Sequence, residues 1–293
     1  MANTNIAALL ALGSAMCVAL GDVLQQQAAQ GVADKPVGHL GLLADLLRNR
    51  RWWRGMVLLA ASIGLQAAAL NEGSVLLVQA LVMLSVLFAL PINARFSGRT
   101  VSSDEWAWAG LLTAAVILVV VVGNPQAGRT SAPIQTWGLV AVVFGPILIG
   151  CLVAGRVWGG TLAATSYAFV SGSLWGVFAV LTKEVVARLG DGGRPVTHAP
   201  ELYAWLLAAA GGFVWSQSAF RAGPLTASMP ALQMSQPVVA AVLGVVVLGE
   251  KLNAGRIGLV TMALAVVAMM AAVFRLARVE AVRIDDQFQD AVV

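Results

Sequence analysis

The chain has 293 residues, of which 59% are hydrophobic and only 11% charged, and its net charge is +4. Soluble domains carry roughly 25% charged residues, so this composition excludes a water-soluble globular protein and points to a polytopic membrane protein. The 18 basic residues stand beside apolar segments, which reads as topology signal and contact with anionic lipid headgroups, not as a nucleic-acid surface.

Nine apolar segments follow in order, each bounded by charge, glycine or proline: Ile6–Gln26, Trp52–Leu70, Ser74–Ala94, Trp106–Gly123, Thr136–Gly155, Leu162–Val186, Leu202–Phe220, Leu225–Leu248 and Ala254–Phe274. Crossing a hydrocarbon core of about 30 Å takes about 20 helical residues, so each is expected to span. Gly38–Leu47 is apolar but too short, and reads as a re-entrant or interfacial helix. The amino-terminal stretch lacks a basic leader region and a small-residue cleavage site, so it is expected to be the first transmembrane helix. Gly145 and Pro146 predict a kink in the fifth segment. Residues 276–293 predict a loosely ordered cytoplasmic tail.

Nine spans alternate the loops between two faces. Twelve basic residues, among them Arg50, Arg51, Arg54, Arg95, Arg275 and Arg278, fall on one face and six on the other. The positive-inside rule then places the amino terminus outside and the carboxyl terminus in the cytoplasm, in a bacterial inner membrane. Trp52, Trp53, Trp106, Trp108, Trp137 and Trp158 lie at segment ends, where indole rings suit the headgroup region.

The sequence also repeats. LQQQAAQG from Leu24 resembles LTKEVVARLG from Leu181; LNEGSVLLVQAL from Leu70 resembles FRAGPLTASMPAL from Phe220; SGRTVS from Ser97 resembles LGEKLN from Leu248. The chain parses as a four-helix unit over residues 1–124, a linker helix over 125–160, and a second four-helix unit over 161–275. The single linker helix starts the second unit from the opposite face. The expected fold is therefore an all-α polytopic membrane protein of about nine transmembrane helices, in two inverted repeats, an architecture of alternating-access carriers with a site near the midplane.

This arrangement, the LGEKLNAGRIG stretch and the glycine- and alanine-rich helices resemble the EamA-like drug/metabolite transporter superfamily over nearly the whole chain. Within it, WWRGM, LNEGS, VLQQQ and the nine-span count are most similar to the NIPA-type branch, a resemblance that implies magnesium transport. Two positions differ from the branch: Gln26 and Gln27 replace basic residues, and Arg99 replaces an acid.

No GxSxG, HExxH or phosphate loop is present, so no enzyme, no cofactor and no metal centre is expected. Cys17 and Cys151 sit alone in apolar segments and read as small buried hydrophobes. Gln233 and Gln236 share a face of the eighth segment, where Pro230 and Pro237 free backbone carbonyls. Such a break is tolerated where it is buried or lines a watery cavity. Gln66, Gln79 and Gln217 are amides at corresponding depths. Trp175 and Trp215 either wall a cavity or pack against small residues. Asp22 is either a proton- or cation-coupling carboxylate facing a polar cavity or a carboxylate at the cytoplasmic interface. Lys183, Glu184 and Glu72 read as solvated interfacial charges, and Glu250 as a helix-end residue.

The reading this supports is a secondary or facilitative carrier of a small polar or amphiphilic metabolite, contacting membrane lipids. Its substrate site would comprise Gln66, Gln79, Trp175, Trp215, Gln217, Gln233 and Gln236, with Asp22 for coupling. An amide-rich lining suits a neutral or zwitterionic solute better than Mg²⁺, which prefers carboxylates and retained waters. Magnesium transport is the first alternative. A non-transporting membrane partner or a lipid-carrier flippase component of envelope synthesis is the second.

Overall fold

The computed structural model describes residues 3–33, 49–96, 100–190 and 199–290. The segment Gly38–Leu47 lies outside them, as do Arg99 and the side chains of Gln25 to Gln27.

Nearly everything described is helix. The elements are α1 (Thr4–Ala33), α2 (Arg50–Glu72), α3 (Val75–Val82), α4 (Ser85–Phe96), α5 (Ser103–Gly123), β1 (Pro125–Gln126), α6 (Ile134–Trp158), α7 (Gly160–Gly190), α8 (Pro200–Ala222), α9 (Leu225–Val246), β2 (Lys251–Leu252) and α10 (Arg256–Asp290). Eight stretches among the described residues are long and apolar enough to cross a membrane, with α3 and α4 counted as one. The helix α8 has 23 residues but a more polar composition, and falls outside that set.

The helices run between two common ends. At the near end, which holds the start of α1, the Ala7 Cβ lies 2.7 Å from where a Cβ on Gly73 would stand, so α1 abuts the α2–α3 turn. At the far end the backbone oxygen of Gly160 lies 2.8 Å from the corresponding position on Gly223, so the start of α7 abuts the α8–α9 turn. The other end of α7 meets the start of α8: Trp205 Nε1 donates to Thr182 Oγ1 at 2.8 Å, and Arg188 pairs with Glu201 at 2.6 Å. Thus α8 lies antiparallel along the whole of α7.

Small residues make these close crossings. Gly172 and Gly176 of α7 bring the backbone of α9 so near that a Cβ would stand 2.5 Å from the Leu232 oxygen and 2.8 Å from the Gln236 oxygen, respectively. Without a hydrophobic drive between helices in lipid, such small-residue contacts are what hold a bundle together. The helices α1 and α2 form a pair like α7 and α8, α5 packs on α10, and α3 packs on α9. Near the near end, β1 and β2 pair antiparallel and Asn253 N–H donates to the Gly123 oxygen at 3.2 Å, tying the end of α5 to the α9–α10 connection. The apolar side chains of α6, among them Val142, Ile149 and Val157, stay exposed as lipid-facing residues would.

Two sequence expectations change. The helix break falls in the first half, at Met83 and Leu84 between α3 and α4, whereas α9 is one helix with Pro230 and Pro237 inside it. Pro146, where a kink is expected, lies within α6. Finally, α10 continues to Asp290 through the stretch expected to be loosely ordered, because nothing before Asp290 in that stretch is a glycine or proline.

Candidate functional site

Lys183, which reads as a solvated interfacial charge, and Glu250, which reads as a helix-end residue, both lie buried at the near end. Lys183 on α7 is 3% exposed and Glu250, just beyond α9, is also 3% exposed. They form an ion pair at 3.2 Å. Their other partners are helix ends. Lys183 Nζ donates at 2.9 Å to the oxygen of Gly73, which closes α2. Glu250 accepts the N–H groups of Val75 at 2.6 Å and Leu76 at 3.1 Å, the first two of α3. Ser74 Oγ takes the next N–H, that of Leu77, at 3.1 Å, so the opening turn of α3 is satisfied. The charges also match the dipoles, a cation at a helix carboxyl end and an anion at an amino end.

Local geometry delivers Glu250 there. After α9, Gly249 adopts a left-handed φ of 64° that glycine takes without strain, and Glu250 N–H donates back to the Gly244 oxygen at 3.0 Å. That reversal turns the carboxylate inward, 3.0 Å from where a Cβ on Gly244 would stand. Glu184, fully buried beside Lys183, accepts the Ala132 N–H at 2.9 Å and the Trp137 indole N–H at 3.2 Å, fastening the start of α6 to α7.

Below this clamp lie neutral polar groups. Gln79 is 3% exposed, and its Nε2 has no hydrogen-bond partner. It stands one turn beyond Val75, whose Cβ lies 3.4 Å from the Cβ position of Gly244, so this face of α3 turns toward α9. Gln233 shares the Gly244 face of α9, since eleven residues are close to three whole turns. Its backbone oxygen is freed by Pro237, which lacks the N–H four residues on. Ser173 on α7 is fully buried with an unpartnered hydroxyl. Its neighbours Ser171 and Gly172 face α8 and α9, so at 100° per residue Ser173 comes round toward the first half of the chain. Gln66 on α2 and Gln236 on α9 are half-buried. Counting 1.5 Å per residue from the near-end turn, Gln79, Gln66, Gln236, Ser173 and Gln233 occupy depths of about 6 to 16 Å, a band that reaches the middle of a bilayer.

The other sequence candidates lie apart. Trp175 packs on Gly212 of α8 and edge-on to Phe178 at 5.3 Å, and Phe178 stacks on Trp205 at 4.9 Å. Trp215 leans on Tyr167 at 5.3 Å. Both tryptophans fasten α8 to α7. Gln217 is exposed beside Phe213 and Val214 on the outer side of α8, turned away from the α7 contact at Gly212 and Ser216. Asp22 is exposed on α1 near the far end, next to Gly21, which packs on Leu59 of α2. Sequence reasoning missed the Lys183–Glu250 pairing and Ser173. One signal was available: opposite charges at the ends of otherwise apolar helices tend to face inward and pair.

These features define the class, an α-helical polytopic membrane protein. No family model and no solved structure matches the chain. It is 33% identical over 289 residues to an uncharacterized protein of Corynebacterium glutamicum, covering 95% of this chain and 96% of that one. The chain belongs to the family of that protein.

Proposed function

We propose that the chain is an alternating-access carrier of a small neutral or zwitterionic polar solute, built as two inverted four-helix repeats in the manner of the drug/metabolite transporter superfamily. The observation that carries this reading is a hydrogen bond made twice. Ser14 Oγ of α1 donates to the Ser62 oxygen of α2 at 2.9 Å, and Ser171 Oγ of α7 donates to the Gly212 oxygen of α8 at 2.7 Å. Ser171 lies 157 residues after Ser14, the offset that also relates Leu181 to Leu24. Gly212 lies 150 residues after Ser62, and Gly223 lies 150 after Gly73. The two serine contacts and the two glycine turns are therefore equivalent, and α1 starts at the near end while α7 starts at the far end. Repeats so related can exchange conformations and open each face in turn around a site between them.

The end-to-end run of α8 beside α7 supports counting it as the ninth span. The near end then lies outside and the far end in the cytoplasm. Burial of Lys183 and pairing of Arg188 with Glu201 leave fewer free cations at the near end, which sharpens the basic bias of the other face.

The lining supports the solute class. The buried Gln79 amide and Ser173 hydroxyl, which lack partners, can exchange hydrogen bonds with a polar molecule, whereas Glu184 and Glu250 are already engaged by indole, backbone and lysine. A bare divalent cation would find few free carboxylates among the described residues of this layer. A thermal-shift screen of the purified chain against metabolites, organic cations and Mg²⁺ tests the assignment, because a ligand that binds the folded state raises the melting temperature. A polar metabolite is expected to stabilise; stabilisation by Mg²⁺ alone would overturn the choice of solute.

A further inference from the structure

We infer that Lys183 and Glu250 are the gate that closes the near end, by clamping the α2–α3 hairpin of the first repeat to the second repeat. This rests on the alternating-access reading. The hairpin turn, Glu72 to Ser74, belongs to the first repeat, while both charges belong to the second. Together they hold it by three contacts, to the Gly73 oxygen and to the Val75 and Leu76 N–H groups, and their own ion pair joins the two charges to each other. Both charged side chains are buried, so hydrogen bonds and Coulomb attraction act with little screening. Opening the near end requires the hairpin to leave both charges together. Removing one charge would leave the other buried without its partner, the most destabilising way to alter such a pair.

The repeat makes the gate one-sided. The far-end counterpart of the α2–α3 turn is Gly223-Pro224, and the residues that align with Lys183 and Glu250 are Gln26 and Arg99. A guanidinium cannot accept a hydrogen bond from a helix amino end, and an amide carries no charge for a helix carboxyl end. Pro224 also caps α9 with no side-chain hydrogen bond, where Ser74 caps α3 with one. The far end therefore cannot be shut by the same device. The resting carrier is sealed at the near end by a polar clamp and opens more easily at the far end.

The test places a reporter beneath the clamp. Val78 is fully buried one turn into α3. In the full chain with Cys17→Ala, Cys151→Ala and Val78→Cys, reconstituted in vesicles, a membrane-impermeant methanethiosulfonate is applied to the near end. Labelling is expected to be slow, and Glu250→Gln or Lys183→Met should each speed it by about tenfold or more. Unchanged rates in variants that fold and keep the parent's elution profile would overturn the gate. If the variants fail to fold, amide exchange in the unsubstituted chain decides. Val75 and Leu76 should exchange about tenfold or more slowly than Leu225 and Thr226, and equal exchange would overturn the proposal. Faster labelling with no solute flux in any variant sustains the clamp and removes the carrier reading. Flux with unchanged labelling does the reverse.

Discussion

A single methyl group at Gly172 tests whether the α7–α9 crossing is as tight as described. On Gly172→Ala the new Cβ would stand 2.0 Å from Ser235 Oγ and 2.5 Å from the Leu232 oxygen. The hydroxyl can rotate away, but the carbonyl is backbone, so α9 must retreat by about 1 Å to reach ordinary contact. Overpacking of that kind costs about 1–3 kcal/mol, which exceeds the gain of up to about 1 kcal/mol from replacing glycine by alanine within a helix. The control is Gly150→Ala on α6, where nothing lies within 4 Å of the new atom and only the helix-forming gain applies. Thermal melting of the purified protein in detergent should show Gly172→Ala below the parent and Gly150→Ala at or above it. A Gly172→Ala protein as stable as the Gly150→Ala protein would refute the close crossing.

Other expectations follow from the same contacts. Lys183→Met should destabilise the protein by about 3–5 kcal/mol, because it strands a buried carboxylate. Arg188→Met breaks a pair whose arginine side chain is 40% exposed and should cost about 0–1 kcal/mol; equal losses in denaturant titrations would contradict the buried clamp. Ser14→Ala and Ser171→Ala should each cost about 1 kcal/mol, and a large difference between them would weaken the equivalence of the repeats. Gln79→Leu removes an unpartnered buried amide, so folded yield and melting temperature should hold or rise while solute-induced stabilisation is lost. Retained stabilisation would take Gln79 out of the site.

The sequence carried the helices well because their apolar runs are long and their ends carry charge or glycine. It was less informative about side chains whose fate depends on distant residues. Lys183 and Glu250 stand 67 positions apart, and nothing in LTKE or LGEK alone says whether a charge at a helix end turns out to water or in to a partner. Gly249 is the local cause of the inward turn, but a glycine after a helix is common enough to pass unnoticed. Trp175 and Trp215 read either as cavity walls or as packing against small residues; which neighbours they would meet was set by α8 running beside α7, where Trp175 packs on Gly212. The break at Met83 and Leu84 has no proline or glycine at that point to announce it. By contrast, Gln79, Gln233 and Gln236 stood out against apolar surroundings, and counting along their helices gives them neighbouring depths.

The most direct test of the carrier reading is solute counterflow in vesicles containing only the purified chain. Using a polar metabolite identified by its thermal stabilisation, labelled solute should enter saturably and faster when unlabelled solute is already inside, with Gln79→Leu abolishing the uptake. Folded, correctly inserted protein that moves no stabilising solute, or moves it without acceleration from the opposite side, would contradict an alternating-access carrier.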